Sequence, residues 1–144
     1  YGQGQILMNP VQLASIYSSF VNEGSIYQPH IVQGKTKTWI KNIFSKETTK
    51  TIKEDLINVI ADEKGTGHSI YHDNVTLAGK TGTAEIKQSQ SDTSGTELGW
   101  FTVMTTDSKQ PLLITTLVED VKDRGGSGYV VEHTKTPLDL YLSK

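Results

Sequence analysis

Three strand-like runs in the second half of the chain constrain its fold more than any other feature. They cover Thr76–Ile86, Trp100–Thr106 and Leu112–Val121, and they are rich in threonine, β-branched and aromatic residues, which favour strands. The short segment Asp107–Pro111 predicts a hairpin between the last two, so the strands should form an antiparallel sheet. The polar stretch Lys87–Glu97 contains no large apolar residue and is predicted to be a mobile loop.

A first helix is predicted over about residues 9–23. Asn9 is a good N-cap, Pro10 suits the first helical position, and Gln12 stands where a capping box needs Glu or Gln. Apolar residues then recur every three or four positions, and Gly24 supplies a left-handed stop.

Two further helices complete the predicted fold. The second follows Ser45 as its cap, carries Glu47 in its first turn, and ends at Lys64-Gly65. The third covers Tyr129–Leu142, where Pro137 is expected to kink or restart the helix. The order helix, helix, three strands, helix indicates an α+β fold in which helices flank an antiparallel sheet of about three strands.

Composition excludes several classes of partner. Lys and Arg number 14 against 16 acidic residues, without long blocks of either sign, so no nucleic-acid-binding surface is expected. Cysteine is absent, which excludes disulfides and cysteine-bound metals. Because no apolar run approaches the roughly 20 residues that span a bilayer, any membrane anchor is expected to lie outside this chain.

The first predicted strand contains a cluster of residues that are unusual in a core strand. Lys80, two threonines and two glycines interrupt it, and local irregularity of this kind often marks a functional site. Strand alternation places Thr81 and Thr83 on one face, and Gly82 between them leaves space for a ligand backbone. The strand could therefore receive a peptide along its edge.

The residues of this cluster also fit two other interpretations. Gly79-Lys80-Thr81 also ends the phosphate-binding P-loop motif, but the first glycine of that motif would fall at Asn74, and a strand precedes Gly79. Nucleotide binding is therefore not predicted. The simplest structural interpretation is an exposed strand end with a solvated lysine.

Other polar or aromatic residues are expected to have structural roles. Glu85 is expected to be a solvated or ion-paired surface group. Trp100 is expected either in the core, which is the favoured interpretation, or as part of the lining of a cleft. His68 and His72 are four residues apart but do not lie on a clear helix, so no metal site is predicted.

Several segments, taken in order, resemble class B penicillin-binding proteins along essentially the whole chain. Tyr1–Gly4 and Asn9–Ala14 are similar to that family's Gly-Gln-Gly segment and following helix, and Gly65–Gly67 to its Gly-Thr-Gly. Ala78–Glu85 resembles its Lys-Thr-Gly strand almost letter for letter, and Gly99–Phe101 its next strand. Asn-Pro at the helix start, with the leading Tyr-Gly-Gln-Gly, is similar to the low-affinity, resistance-associated Gram-positive branch.

The resemblance implies that residues 1–144 are the C-terminal part of a single transpeptidase domain with the serine DD-peptidase/β-lactamase-like fold. The family also needs Ser-x-x-Lys, which carries the nucleophile, and Ser-x-Asn. Neither occurs in these 144 residues. We therefore expect an N-terminal remainder of the same domain to supply both motifs, and the chain alone to be inactive.

The activity implied by the resemblance is that of a peptidoglycan D,D-transpeptidase without a cofactor, on the extracellular face of the bacterial cytoplasmic membrane. Its substrates would be stem peptides ending in D-Ala-D-Ala, and β-lactams would acylate it. Lys80, Thr81, Gly82 and Thr83 would bind the substrate. Lys80 would also be catalytic, and the backbone N–H of Thr83 would help to form the oxyanion hole.

Two rival functions share the same strand. A β-lactamase or β-lactam sensor would also carry Lys-Thr-Gly, but the segments similar to Gly-Gln-Gly and Gly-Thr-Gly argue against it. A non-enzymatic peptide-binding module would bind along the strand without forming a covalent adduct.

Overall fold

The order of helices and strands follows the prediction, with the addition of one short pair of strands between the first two helices. The computed structural model describes residues 4–87, 89, 91–92, 94–107 and 109–143. Along the chain lie α1 (Pro10–Ser18), β1 (Ile26–Tyr27), β2 (Thr38–Ile40), α2 (Lys46–Ala61), β3 (Leu77–Ile86), β4 (Thr96–Thr105), β5 (Leu113–Val118) and α3 (Ser127–Leu142). The strands β3, β4 and β5 form an antiparallel sheet in that order, so the predicted α+β class is confirmed.

The first two predicted helix starts are confirmed by their caps. The side chain of Asn9 accepts a hydrogen bond from the N–H of Gln12 at 2.9 Å, and the Gln12 side chain accepts one from the N–H of Asn9 at 3.2 Å. Ser45 accepts from the N–H of Thr48 at 3.0 Å. Each cap satisfies an N–H group that has no partner within the helix.

The predicted end of α1 is wrong, because the regular helix stops at Ser18 and not near residue 23. Ser15, Ser18 and Ser19 donate their hydroxyl protons to carbonyl oxygens three or four residues earlier, at 2.6–2.8 Å. Such bonds offer the carbonyls an alternative to the regular helical ladder. Turns follow, and Gly24 has the predicted left-handed conformation, with φ 78°.

The other helices also differ from prediction, α2 at its end and α3 at its start and at Pro137. The helix α2 ends at Ala61, before the predicted Lys64-Gly65. The helix α3 begins at Ser127 and continues through Pro137, so it is not restarted there. Burial of one face of α3 against the sheet, including Leu138 immediately after the proline, favours the continuous helix.

The strands show three further differences. β5 ends at Val118, three residues before the predicted Val121. β4 begins at Thr96, four residues before the predicted Trp100, and pairs with β3 as far as Ile86. The predicted mobility of Lys87–Glu97 involves residues 88, 90 and 93, which lie outside the described residues. The short pair β1 and β2 was missed, because two or three residues are too few to show a period.

The sheet has an apolar core on each face, and these cores hold the helices in place. On one face, residues of α2 and α3 surround Phe101 and Val103, both fully buried. On the other, residues of α1 and α2 pack around Ala78 and Met104. Within the residues described, no helix combines the length and apolarity needed to cross a bilayer.

Replacement of Gly99 tests the packing of α3 against β4. A Cβ at Gly99 would lie 2.5 Å from Val130 Cγ2 and 3.0 Å from a Val121 methyl group. We expect Gly99→Ala to lower the free energy of unfolding by about 1–3 kcal/mol through overpacking. Gly128→Ala is the matched control, since a Cβ there meets no atom within 4 Å. Equal midpoints of thermal unfolding for the two variants of the intact protein would contradict this packing.

Candidate active site

Strand β3 presents the side chains of its central cluster on opposite faces. Lys80 is exposed on one face. Thr81 is buried on the other, where its Oγ1 lies 2.9 Å from Thr66 Oγ1. Thr83 is exposed on the same side as Thr81, and a Cβ built on Gly126 would lie 3.6 Å from Thr83 Oγ1. The two threonine hydroxyls therefore lie between the turn that follows α2 and the residue that precedes α3.

The hydrogen-bond ladder leaves one edge of β3 open. Among the described strands, β3 pairs only with β4. The N–H of Thr106 donates to the carbonyl oxygen of Thr76 at 3.1 Å, just before the two strands begin to pair. Because hydrogen-bonded and non-hydrogen-bonded pairs alternate in an antiparallel ladder, the N–H and C=O groups of Thr81 and Thr83 point away from β4.

The ammonium group of Lys80 lies at this open edge. Its Nζ donates to the carbonyl oxygen of Thr81 at 2.8 Å, so the side chain bends from the face of the sheet toward the edge. The positive charge of Lys80 therefore lies at the carbonyl oxygen of Thr81. Only Gly82 separates Thr81 from Thr83, whose N–H points to the same edge. Together these donors can bind an anionic or carbonyl oxygen atom placed beside β3.

A groove of about 730 Å³ lies along this part of β3. All four predicted site residues border it, together with apolar or aromatic residues that include Ile6, Leu7, Met8, Leu13, Tyr17, Ile86, Leu98 and Trp100. The favoured core location of Trp100 is wrong and the alternative is confirmed, since its side chain is only partly buried and lines this groove. Burial raises the pKa of the Tyr17 phenol above its ordinary value.

The histidines and Glu85 lie in ordinary structural contacts. His68 Nδ1 is 2.9 Å from the carbonyl oxygen of Ile60, whereas His72 Nε2 is 3.0 Å from Asp139 Oδ1. The two rings thus have separate partners, and no group of three or more potential ligands for a metal is found among the described residues. Glu85 forms the expected surface ion pair with Lys87, whose hydrogen bond and charge lower the pKa of Glu85.

The sequence interpretation missed the contributions of Thr66 and Gly126. The Gly-Thr-Gly at 65–67 was noted without a role for its hydroxyl, and Gly126 was not noted at all. A signal for Gly126 was present, because paired glycines directly before a helix suit the positive φ angles of 96° and 62° that Gly125 and Gly126 adopt.

Comparisons with known proteins agree on one family. The protein-family model of the penicillin binding protein transpeptidase domain matches residues 1–136. Penicillin-binding protein 3 of Bacillus subtilis is 41% identical over 138 residues, which make up 94% of this chain and 20% of that protein. Peptidoglycan D,D-transpeptidase MrdA of Haemophilus influenzae is 24% identical over 164 residues, covering 99% of this chain and 25% of that protein. The chain thus spans between a fifth and a quarter of the length of these relatives.

A solved structure shares the fold. The imipenem acyl-enzyme complex of penicillin-binding protein A from M. tuberculosis superposes with a TM-score of 0.71 at 19% sequence identity. The match covers 96% of this chain and 32% of that one.

The two glycines of the cluster should respond differently to substitution. A Cβ at Gly79 would lie 2.9 Å from the carbonyl oxygen of Thr102 and 3.0 Å from Ile60 Cδ1, whereas a Cβ at Gly82 makes only an ordinary 3.5 Å contact with Trp100 Cβ. We expect Gly79→Ala to destabilise the protein by about 1–3 kcal/mol. Gly82→Ala should change stability by no more than about 0.5 kcal/mol. Thermal unfolding of both variants checks this contrast, and a larger loss for Gly82→Ala would contradict it.

Proposed function

This chain belongs to the penicillin-binding protein transpeptidase domain family, and we propose that it forms the Lys-Thr-Gly wall of a peptidoglycan D,D-transpeptidase active site. One observation carries the proposal: the N–H of Thr83 and the ammonium group of Lys80 lie at the same open edge of β3. This edge offers a backbone donor for a carbonyl oxygen and a positive charge for a carboxylate.

The proposed reaction is acyl transfer in two steps. A serine hydroxyl attacks the penultimate carbonyl carbon of a stem peptide ending in D-Ala-D-Ala, and its proton passes to the leaving amine of D-alanine as the C–N bond breaks. The amine of a second stem peptide then attacks the ester carbonyl carbon and forms the cross-link, and a proton from that amine passes to the serine oxygen as the C–O bond breaks. β-Lactams enter the first step, but their amine stays tethered and the acyl-enzyme stalls.

Thr83 would act in both steps through its backbone. Negative charge develops on the carbonyl oxygen when the serine, and later the amine, adds to the carbon. An N–H group held in place beforehand stabilises that charge without reorganisation, and loss of such a donor costs roughly 3–4 kcal/mol. The N–H of Thr83 suits this role because it points away from β4, toward the space where a substrate strand would lie.

Lys80, Thr81 and Thr83 would orient the substrate through its terminal carboxylate. The ammonium group supplies charge, and the two hydroxyls supply donors on the same side of the strand. Gly82 adds no side chain between them, so the substrate backbone can approach β3. Lys80 would be both a binding and a catalytic residue, because its charge also acts on the reacting groups of the cleft.

The nucleophile is proposed to come from polypeptide outside these 144 residues, which contain no Ser-x-x-Lys. Residues 1–144 would then be the C-terminal part of one transpeptidase domain. The apolar surface at the groove supports this, because Ile6 is 86% and Leu7 93% exposed beside Lys80. Exposed apolar patches mark surfaces that bind another polypeptide or a ligand, and a facing part of the same domain would cover this one.

The proposed function also implies a cellular location and a set of ligands. The whole protein would act at the bacterial cell surface, held by an anchor outside this chain, with stem peptides and β-lactams as ligands. The acyl-enzyme of the structurally similar penicillin-binding protein A supports acylation by β-lactams. Membership of the low-affinity, resistance-associated branch remains a prediction from the first residues and Asn9-Pro10.

Substitutions at Lys80 and Thr83 test the division of roles. In the intact protein, Thr83→Ala keeps the backbone N–H, so we expect acylation by fluorescent penicillin to slow only about tenfold, through weaker carboxylate binding. Lys80→Ala removes the charge at the cleft and should slow acylation by roughly a hundredfold or more. The second-order rate constant of labelling measures both effects.

Lys50→Ala provides the control for loss of a surface lysine, because Lys50 lies on α2 with its side chain 75% exposed and its Nζ 3.9 Å from Glu54 Oε1. Its labelling rate should match that of the unmodified protein. Equal losses for Lys80→Ala and Thr83→Ala would contradict the proposed division.

A further inference from the structure

A hydroxyl pair joins the candidate site to the turn that follows α2. Thr66 Oγ1 lies 2.9 Å from Thr81 Oγ1, although the two residues are 15 positions apart in the sequence. Thr81 is only 9% exposed, whereas Thr66 lies on the surface. Thr66, which lies outside β3, therefore contacts the hydroxyl of a residue that lines the groove.

The turn that holds Thr66 is closely packed against the end of α2. The N–H of Gly67 donates to the carbonyl oxygen of Val59 at 2.9 Å, and the N–H of His68 donates to that of Gly65 at 3.1 Å. A Cβ at Gly65 would collide with the Val59 carbonyl group, and one at Gly67 would lie 3.2 Å from an Ile60 methylene. Gly65 is thus needed for this path, and a side chain at Gly67 would require Ile60 to shift. The path fixes the position of the Thr66 backbone beside β3.

When an anion is bound, the protons and lone pairs of the two hydroxyls determine which one donates to the other. A threonine hydroxyl has one proton to donate and two lone pairs to accept. A carboxylate only accepts, so Thr81 can bind it only with its single proton. The Thr81 oxygen must then accept from Thr66, and the Thr66 proton is available for this bond.

We propose that Thr66 is a positioning residue, which donates to Thr81 and thereby directs the Thr81 hydroxyl proton to the carboxylate of the substrate or β-lactam. This inference rests on the proposed function, in which Thr81 binds that carboxylate. Thr66 itself need not touch the ligand. Without it, the Thr81 hydroxyl can rotate to other acceptors and loses the polarisation that a donated hydrogen bond provides.

The test compares acylation of the intact protein by benzylpenicillin and by its methyl ester, which lacks the negative charge. Thr66→Val removes the hydroxyl with little change in shape, and should slow acylation by benzylpenicillin about five- to tenfold. Thr66→Ser keeps the hydroxyl and should stay within about twofold of the unmodified protein. With the methyl ester, Thr66→Val should have an effect of less than about twofold, because no carboxylate is oriented.

Thr81→Val and the double variant separate this inference from the proposed function. If Thr66 acts through Thr81, the double variant should be no slower than Thr81→Val alone. Normal acylation of Thr66→Val beside slow acylation of Thr81→Val would overturn the inference and leave the proposed function standing. Normal acylation of Thr81→Val would overturn both the carboxylate role and the inference.

Two controls exclude a purely structural effect. Thr116→Val removes a 2.8 Å hydroxyl contact with Thr134 in another part of the sheet, and it should not change acylation. Because Thr66 is exposed, its variants should unfold at nearly the same temperature as the unmodified protein. If Thr66→Val were unstable, Thr66→Ala would replace it. Equal slowing with benzylpenicillin and its methyl ester would overturn the inference.

Discussion

The alternation of hydrogen bonds between β3 and β4 determines what the Lys-Thr-Gly strand can do. Every second residue of β3 bonds to β4, and the residues between them direct their N–H and C=O groups to the open edge. The hydrogen bond from Thr106 to Thr76 sets this alternation and places Thr81 and Thr83 in the second set. A shift of the register by one residue would turn both backbone donors inward and both hydroxyls to the opposite face.

The surroundings of β3 preserve this register. On one face, Gly79 lets Ile60 and Phe101 approach the backbone, so α2 packs directly against the strand. On the other, Ala78 packs with Met104 in the core that α1 helps to cover. Further along β3 the neighbours are less tightly packed, and Gly82 borders the groove. The first half of the strand is thus anchored in two cores, while the second half is accessible to a ligand.

Sequence patterns predicted the parts of this arrangement that local chemistry controls. The caps at Asn9 and Ser45 need only residues three positions away, and the alternation of Thr81 and Thr83 needs only the geometry of a strand. The contact between Thr66 and Thr81 could not be predicted in this way, because it depends on the path of the chain between α2 and β3. The end of α1 and the start of β4 also depend on competing hydrogen bonds and on strand pairing. Trp100 was misplaced because a large aromatic residue in a central strand is usually buried, whereas here Gly82 opposite it leaves the groove open.

The most direct test of the central claim is a crystal structure of the intact protein after acylation by a penicillin. If the open edge of β3 forms the oxyanion hole, the carbonyl oxygen of the adduct should lie about 2.7–3.1 Å from the backbone nitrogen of Thr83. The penicillin carboxylate should lie beside the hydroxyls of Thr81 and Thr83. An adduct whose carbonyl oxygen points away from β3, or a Thr83 N–H that is bonded to another part of the protein, would contradict the account.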